Sequence, residues 1–226
     1  MPEPYPAVRG SDSSLEAKSA FWDERILAWE MRRYSMLARF NPFAWTVRRR
    51  MRTAQALVRG EFAGHADILD LGCGSGLLAN AVVDAPSRRY LGIDFSRVAV
   101  AAARTRFARH ADRIRFEQRD VLESPGRKAS LIVALGLLDW LETGEVARWF
   151  GGLDARSLCF SFTEADGGGA GFLYRQYRRV SDKIYRARSF RQEEIVTAAR
   201  SAGYRVDQII VLSRLDPGRL VLAARL

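Results

Sequence analysis

The sequence is poor in side chains that bind metal ions or form crosslinks. It has 2 cysteines, Cys73 and Cys159, and 2 histidines, His65 and His110. The cysteines are too far apart for the paired spacing of zinc ligands and too few for a disulfide framework. Neither histidine stands at a predicted strand end, where a catalytic base would act. We therefore expect no metal site and no histidine base.

Long apolar runs are also missing. The longest, residues 131–138, is far shorter than the roughly 20 residues of a membrane-spanning helix. No apolar segment typical of a secretory signal follows Met1. The sequence therefore predicts a soluble, cytoplasmic protein without a transmembrane segment.

Lysine is scarce, and arginine carries most of the positive charge. The formal net charge is +10 at pH 7, yet the lysines are only Lys18, Lys128 and Lys183. Residues 31–60 contain eight arginines and no acidic residue, and residues 172–191 contain seven basic residues and one aspartate. Such segments either contact an acidic substrate, nucleic acid or anionic lipid, or form a solvated surface.

The chain divides into three predicted parts. Residues 1–14 hold three of the 7 prolines and lack apolar periodicity, which predicts a flexible tail. Residues 15–60 have helical periodicity interrupted at Pro42 and predict a helical cap. Residues 61–226 predict the catalytic core, with an insertion at about 164–190. Glycines at 167–169 and 171 either let this insertion move as a lid or belong to a surface loop.

Short β-like runs alternate with helical stretches after residue 66, a pattern typical of βαβ units. The predicted fold is α/β and Rossmann-like: a seven-stranded, mostly parallel sheet with helices on both faces, an antiparallel C-terminal hairpin and an N-terminal helical cap. We place the hairpin turn at residues 216–218. The predicted strands are 67–71, 89–93, 114–118, 131–135, 158–162, 205–212 and 219–224, and the predicted core helices are 77–83, 97–107, 143–150 and 192–201.

A glycine-rich turn follows the first predicted strand, in the segment ILDLGCGSG at residues 68–76. Gly72, Gly74 and Gly76 permit positive φ and remove Cβ atoms, so the backbone can lie against a ligand at a helix N-terminus. This predicts a nucleotide-like cofactor, although a tight turn without a ligand would have the same glycines. A dinucleotide dehydrogenase fits less well, because its G-x-G-x-x-G pattern needs glycine where Leu77 stands.

Aspartates end the next two predicted strands. Asp94 ends the second, near the distance at which an acidic residue can accept hydrogen bonds from both hydroxyls of an adenosine ribose. Asp120 ends the third, where a carboxylate can accept the amino group of adenine while Phe95 and Val121 flank the ring. Ordinary caps at strand ends are the alternative explanation for both aspartates.

Over roughly residues 61–226, the order and spacing of these motifs and the terminal hairpin resemble the class I S-adenosylmethionine-dependent methyltransferases. The resemblance implies S-adenosylmethionine as cofactor. It implies that Asp70 and Gly72 lie near the methionine portion of the donor, with Gly74 against it. It also implies that Asp94 binds the ribose, that Asp120 and Val121 lie at the adenine, and that the strand-four tip, residues 135–137, lies next to the sulfonium and the acceptor. The predicted cofactor-binding residues are Asp70, Gly72, Cys73, Gly74, Gly76, Asp94, Phe95, Asp120, Val121 and Leu135.

The acceptor is specified less well. A sulfonium is an excellent leaving group, so an aligned nucleophile suffices and a catalytic base is optional. The sequence has neither the Asn/Asp-Pro-Pro-aromatic motif of adenine-amine methylation after strand four nor a Pro-Cys pair for pyrimidine carbon methylation. Candidate catalytic residues are Asp139, Glu164, Tyr174 and Tyr177, and candidate substrate-binding residues are Arg175, Tyr185 and Arg191.

For one catalytic candidate and for three aromatic residues of the predicted cap, a purely structural role is the alternative. Asp139 either orients the acceptor or caps the start of a helix. Trp22, Trp29 and Tyr34 either line an aromatic pocket or pack an amphipathic helix on the core.

We therefore expect a methyltransferase that acts on oxygen or nitrogen of a small molecule, with an anionic or carrier-bound acceptor suited to the arginine-rich segments. An RNA methyltransferase is the main alternative, since arginines also contact phosphates, although no separate RNA-binding module is present. A non-catalytic, donor-binding scaffold is another. Peripheral membrane contact stays open as well, because residues 40–50 mix aromatic side chains with arginines.

Overall fold

The computed structural model describes residues 15–36, 42–123, 128–165, 188–213 and 216–226. The predicted tail at 1–14 lies outside the described residues, as does most of the predicted insertion. The division into tail, cap, core and lid therefore stays a prediction.

The described residues form one seven-stranded sheet in the order β3-β2-β1-β4-β5-β7-β6. Neighbouring strands from β3 to β5 are parallel, whereas β7 is antiparallel to both β5 and β6. The predicted Rossmann-like sheet with its antiparallel C-terminal hairpin is thus confirmed. The strands are β1 Asp67–Leu71, β2 Arg89–Asp94, β3 Ile114–Gln118, β4 Lys128–Ala134, β5 Asp154–Thr163, β6 Tyr204–Ser213 and β7 Asp216–Arg225.

Because β1 to β4 are parallel, their carboxyl ends meet at one edge of the sheet, called the carboxyl edge below. β1 lies between β2 and β4, so that Asp70 is paired with Gly92 on one side and Val133 on the other. The strand order reverses at this point. In open α/β sheets, ligands bind outside the carboxyl ends of the strands at such a switch point.

Helices cover both faces of the sheet, as predicted. Val146 of α4 and Ile195 of α5 belong to the buried cluster on one face, and Val58 of α2 and Val100 of α3 belong to the cluster on the other. Within the described residues, no helix is long and apolar enough to cross a membrane. The helices are α1 Leu15–Tyr34, α2 Pro42–Arg59, α3 Arg97–Arg106, α4 Thr143–Gly151 and α5 Gln192–Ser201.

Helix α1 lies across the carboxyl edge. The hydroxyl of Ser19 donates to the carbonyl of Phe95, the residue after β2, at 3.3 Å. The rings of Trp22 and Trp140 meet edge to face with centroids 5.0 Å apart, and Trp140 belongs to a short 3₁₀ helix that follows β4. The first helix of the chain is therefore in contact with the segments after both strands.

The helix predicted at residues 77–83 is shorter than predicted and is a 3₁₀ helix. The structure has a short 3₁₀ helix, Leu77–Ala81, followed by turns. Side chains from elsewhere bind carbonyls of this segment: Gln55 of α2 donates to the carbonyl of Leu77 at 2.9 Å, and Arg113 donates to that of Val82 at 2.8 Å. Backbone N–H groups of the segment donate three residues back instead of four, as from Ala79 to Gly76, which is the 3₁₀ pattern.

The hairpin turn predicted at residues 216–218 is also misplaced. These residues begin β7, since Asp216 pairs with Ser213 and Gly218 pairs with Thr163 of β5. Pro217 needs no N–H partner, and its carbonyl accepts the N–H of Glu164 at 2.8 Å.

Candidate active site

The glycine-rich turn after β1 is held against β2. The N–H groups of Gly72 and Cys73 both donate to the carbonyl of Ile93, at 2.8 and 3.1 Å. The φ angles of Gly72, Gly74 and Gly76 are 74°, 53° and 76°, in the left-handed region that favours glycine. The backbone therefore turns sharply at the carboxyl end of β1, where the sequence predicts a ligand.

The carboxylate of Asp94 is bound to this turn. Its Oδ2 accepts the N–H of Gly74 and its Oδ1 accepts the N–H of Ser96, both at 2.9 Å. Burial raises the pKa of Asp94 to about 6; the two backbone hydrogen bonds lower it, and the nearby Glu30 and Asp23 raise it. Because each carboxylate oxygen can accept more than one hydrogen bond, Asp94 keeps acceptor capacity for the ribose hydroxyls that the sequence analysis assigns to it.

Asp70 is a second buried carboxyl group at the carboxyl edge. The hydroxyl of Tyr90 on β2 donates to its Oδ2. Burial raises the pKa of Asp70 to about 7; the Tyr90 hydrogen bond lowers it, and the charge of Asp94 raises it. A cationic ligand would favour the ionised form of both aspartates. The edge is therefore suited to a ligand that carries positive charge.

Two carboxylates of α1 that are not among the predicted site residues reach the same edge. Glu30 accepts the N–H of Ser75 at 3.0 Å and also the Ser75 hydroxyl. Asp23 accepts the hydroxyl of Ser96 at 2.6 Å and the N–H of Val98 at 3.2 Å, which caps the N-terminus of α3. Their spacing of seven residues is two helical turns and places them on one face. That spacing could have identified them.

Glu30 lies directly over the glycine turn. A Cβ atom on Gly74 would meet Oε1 of Glu30 at 2.5 Å. Arg106 donates to both the hydroxyl and the carbonyl of Ser75 at 2.8 Å, so Ser75 links the Glu30 carboxylate to a guanidinium group. The acidic side chain thus stands where the resemblance implies the methionine portion of the donor.

The strand-four tip is covered by a basic side chain from α2. Gly136 has φ 76°, and a Cβ atom there would meet Nη2 and Nη1 of Arg50 at 2.8 and 3.0 Å. The N–H of Gly136 donates to Oγ of Ser161 at 2.8 Å, which fixes the tip against β5. Arg50 is one of eight arginines in residues 31–60, and nothing in the sequence distinguishes it from the others.

The remaining predicted donor-binding residues also follow strands at the carboxyl edge. Asp120 accepts the N–H of Leu122 at 2.9 Å, and Val121 is buried. Phe95 and Leu135 are half-buried. Their places after β2, β3 and β4 agree with the assigned positions, and their contacts with adenine or the sulfonium stay predictions.

Two predicted cofactor-binding residues have a packing role. A Cβ atom on Gly92 would meet Sγ of Cys73 at 2.8 Å, so this sulfur lies beside β2 in the core. A Cβ atom on Gly76 would meet the ring of Phe116 at 2.7 Å. The Cys73 side chain therefore faces the core, and glycine at 76 leaves room for an aromatic ring.

The two candidate catalytic residues that the structure describes are engaged by neighbours. The carboxylate of Asp139 accepts the N–H and the hydroxyl of Thr163, both at 2.8 Å. Glu164 forms an ion pair with Arg219 of β7. These contacts fasten the end of β5 to its neighbours, and the catalytic roles of Asp139 and Glu164 stay predictions.

The substrate-binding candidates are mostly beyond the described part of the chain. Arg191 precedes α5, is exposed, and its N–H donates to Glu194 at 2.7 Å. Its contact with substrate stays a prediction. The other two substrate-binding candidates, Arg175 and Tyr185, lie outside the described residues, as do the catalytic candidates Tyr174 and Tyr177.

The aromatic side chains of α1 form a connected group. Trp22 contacts Trp29 with ring centroids 6.3 Å apart, and Trp29 contacts Tyr34 at 6.4 Å. Trp22 also packs on Trp140, four residues after Gly136. The group therefore packs α1 against the segment that follows the strand-four tip.

Comparison with known proteins places this site in a family. Residues 69–156 match a family model described as a methyltransferase domain, which includes the glycine turn and both strand-end aspartates. This chain contains a methyltransferase domain, and over that domain the resemblance to the class I S-adenosylmethionine-dependent enzymes is confirmed. A curated mouse relative, EEF1A lysine methyltransferase 4, is 29% identical over 131 residues, or 57% of this chain and 47% of that protein. The chain thus spans about half the length of that relative.

Solved structures share the fold of this chain. Magnesium protoporphyrin IX methyltransferase from Synechocystis PCC 6803 was solved with bound SAH (S-adenosylhomocysteine). It has a TM-score of 0.75 and 18% identity, and the match covers 94% of this chain and 100% of that one. Human N-acetylserotonin methyltransferase, in complex with SAM, has a TM-score of 0.63 and 18% identity over 95% of this chain and 60% of its own.

The residues at the carboxyl edge fit S-adenosylmethionine, the cofactor of this methyltransferase family. Gly74 lacks a Cβ atom where the turn faces Glu30, and the carboxylates of Asp70, Asp94 and Glu30 can offset the charge of a sulfonium and an ammonium group. Asp94 has acceptor capacity for ribose hydroxyls. The placement of the donor at this edge stays a prediction that these features support.

Proposed function

We propose that this protein transfers the methyl group of S-adenosylmethionine to an oxygen or nitrogen atom of a small molecule. The observation that carries the proposal is the enclosure of the carboxyl edge by the chain's own first helix. Glu30 is hydrogen-bonded to the glycine turn, and Asp23 caps α3. A covered edge suits an acceptor that can enter between helices, because a large folded acceptor would have to displace α1.

The named relatives support the same class of acceptor. Solved neighbours of this fold include the methyltransferases of magnesium protoporphyrin IX, mitomycin and N-acetylserotonin, all small molecules by name. The mouse relative is a lysine methyltransferase of a protein by name. Protein lysine is therefore a competing acceptor.

When bound, S-adenosylmethionine supplies a methyl group on a cationic sulfur that is an excellent leaving group. The protein then has to hold the donor at the carboxyl edge, align the acceptor and exclude water. In this proposal Asp94 and Glu30 contact the donor, and the strand-four tip lies next to the acceptor. The contact of Trp22 with Trp140 closes part of the edge to solvent.

The structure weakens the RNA alternative, because several cap arginines are used within the fold. Arg48 donates to the carbonyl of Ser35 at 2.8 Å, and Arg59 donates to that of Asn80 at 3.0 Å. Arg33 stacks on the ring of Trp29 at 4.3 Å. Fewer guanidinium groups are then free to contact phosphates than the composition of residues 31–60 suggests.

Calorimetric titration with S-adenosylmethionine and S-adenosylhomocysteine tests the donor half of the proposal. We expect wild-type binding that Asp94→Ala loses, while Asp67→Ala, at the opposite end of β1, keeps it. Melting temperatures of both variants show whether they fold, since Asp94 also bonds the turn. Wild-type protein that binds neither compound would refute the proposal.

The acceptor half is tested with methyl-labelled donor. Small aromatic acids, alcohols and amines, total RNA and a protein extract are incubated separately with the enzyme. We expect label in the small-molecule fraction. Label that appears only in RNA or only in protein would replace the small-molecule acceptor with that class.

A further inference from the structure

Arg50 occupies an unusual place for a basic side chain. Its guanidinium lies against Gly136, where a Cβ atom would come within 2.8 Å of Nη2, 3.0 Å of Nη1 and 3.2 Å of Cζ. Gly136 is the central residue of the strand-four tip, and its φ of 76° fixes a backbone shape that leaves this space. A charged group from α2 is therefore held at the point where β4 ends.

One donor of this guanidinium is left without an acceptor by the described residues. Its Nε is buried and has no hydrogen-bond partner among them, and none of their carboxylates forms an ion pair with it. Leaving a buried charged donor without an acceptor is costly, and such groups are normally paired. Arg50 therefore has hydrogen-bonding capacity for a ligand.

Tyr34 of α1 stands beside Arg50. Burial raises the pKa of the Tyr34 hydroxyl; the charge of Arg50 and a hydrogen bond with it lower the pKa, and the charge of Glu30 raises it. The hydroxyl therefore stays protonated at neutral pH and can donate. Arg50 and Tyr34 come from different helices and together present donors at the strand-four tip.

The charges around this pair are of the opposite sign. Asp70, Asp94 and Glu30 are all buried acidic residues at the carboxyl edge. They attract the cationic groups of a ligand, whereas Arg50 repels them. We therefore expect an anionic group of the ligand to lie next to Arg50. The planar fork of one guanidinium matches the two oxygens of a carboxylate.

We propose that Arg50, assisted by the Tyr34 hydroxyl, binds a ligand carboxylate at the strand-four tip. The inference rests on the proposed function, because it takes this tip as the place where donor and acceptor meet. The carboxylate has two possible sources with the same chemistry: the amino-acid portion of the donor, or the acceptor. If the acceptor provides it, the acceptor is a carboxylic acid whose charged group is held beside the transferred methyl.

The test compares wild-type protein with Arg50→Met, Arg50→Lys and Tyr34→Phe. Arg49→Met is the matched control, because Arg49 is the exposed neighbour on α2. The first titration uses S-adenosylhomocysteine and 5′-methylthioadenosine, which lacks the amino-acid portion. The second adds naphthalene-2-carboxylate or its neutral carboxamide to protein saturated with S-adenosylhomocysteine. Melting temperatures report folding, and Arg50→Lys keeps the charge should Arg50→Met fail to fold.

A donor carboxylate predicts that Arg50→Met weakens S-adenosylhomocysteine binding about 10- to 100-fold and leaves methylthioadenosine binding unchanged. An acceptor carboxylate predicts unchanged S-adenosylhomocysteine binding, together with a preference for the naphthalene carboxylate over the carboxamide of about tenfold or more that Arg50→Met abolishes. Arg50→Lys and Tyr34→Phe are expected to give smaller losses in the same titration, and Arg49→Met none.

Arg50 variants that change neither titration overturn the inference while the proposed function stands. Equal losses in Arg49→Met and Arg50→Met also overturn it, since a general effect of positive charge would then explain both. Wild-type protein that binds neither S-adenosylhomocysteine nor methylthioadenosine overturns the proposed function itself, and with it the inference. That failure is recognisable without any variant.

Discussion

The Glu30 carboxylate is hydrogen-bonded to both the backbone N–H and the hydroxyl of Ser75. This contact joins the first helix to the glycine-rich turn across 45 residues of sequence. Asp23, two turns earlier on the same helix, binds Ser96 after β2. The cap and the donor-binding edge are therefore one hydrogen-bonded unit, and a change in either is expected to affect the other.

Glu30→Gln is expected to weaken S-adenosylmethionine binding about tenfold. The amide keeps one acceptor for Ser75 and loses the negative charge that favours a cationic donor. Calorimetric titration measures the change, and Glu24→Gln is the control, because Glu24 is exposed on the same helix and pairs with Arg25. Equal affinities for the two variants would show that Glu30 does not act on the donor.

Donor affinity is expected to fall at acidic pH. The pKa values of Asp94 and Asp70 are raised to about 6 and about 7, mainly by burial. A cationic donor binds best when both are ionised, so protons compete with it as the pH falls below these values. Between pH 8 and pH 5 the dissociation constant should rise about tenfold or more, with proton release on binding near pH 6.5. A constant affinity over this range would contradict the charge-based account of the site.

Asp70→Asn is expected to change how stability without donor depends on pH. The folded-state pKa of Asp70, about 7, is above the value for an unfolded chain. Its contribution to stability is therefore fully present at low pH and is lost as the pH rises through 7. Between pH 5.5 and 8, the free energy of unfolding should therefore fall by on the order of 2 kcal/mol more in the wild type than in Asp70→Asn. Urea unfolding at both pH values measures it, with Asp67→Asn as the exposed control.

Arg88→Met is expected to destabilise the fold. The buried guanidinium donates to the carbonyls of Val58, Phe62 and His65 at 2.7, 2.9 and 2.9 Å, and so closes the end of α2 and the loop after it. Loss of these charged hydrogen bonds should cost about 2 to 4 kcal/mol. Denaturant unfolding provides the measurement.

Arg89→Met serves as its matched control. Arg89 is the next residue, and its ion pair with Asp67 is largely exposed. We expect a change within about 0.5 kcal/mol. A similar loss in both variants would indicate that the carbonyl contacts of Arg88 add nothing specific.

Gly76→Ala is expected to destabilise the fold by several kcal/mol, on the order of 2 to 4. Its φ of 76° is unfavourable for alanine, and the new Cβ atom would meet the Phe116 ring at 2.7 Å. Gly64→Ala is the control, because no heavy atom lies within 4 Å of its Cβ position. Thermal unfolding compares the two. Equal melting temperatures would mean that the turn relaxes without cost.

Local patterns in the sequence predicted most of the fold. The strands at Asp67–Leu71 and Ile114–Gln118 and the helix Gln192–Ser201 have the predicted limits, because apolar runs bounded by turn residues mark them directly. Strand β5 is longer than predicted, Asp154–Thr163 against 158–162. Its first residues include polar ones, which pair with β4 and β7 all the same.

Patterns failed where hydrogen bonds come from distant residues. The apolar segment at 77–83 predicts an α-helix, yet Gln55 and Arg113 bind carbonyls within it. The contact of the Asp139 carboxylate with Thr163 on β5 is likewise invisible in the local pattern, and the catalytic role of Asp139 stays a prediction. No local signal reports a partner that is 20 or more residues away.

The sequence by itself determined the parallel sheet and the placement of the glycine turn, Asp94 and Asp120 at strand ends, because backbone propensity and hydrophobic period are local properties. Only the tertiary structure decided which charged side chains of the cap reach that edge. Glu30 and Arg50 are ordinary members of a helix and of an arginine-rich run until α1 and α2 dock. Docking selects them because packing fixes the rotation of each helix, and so decides which residues lie over Gly74 and Gly136.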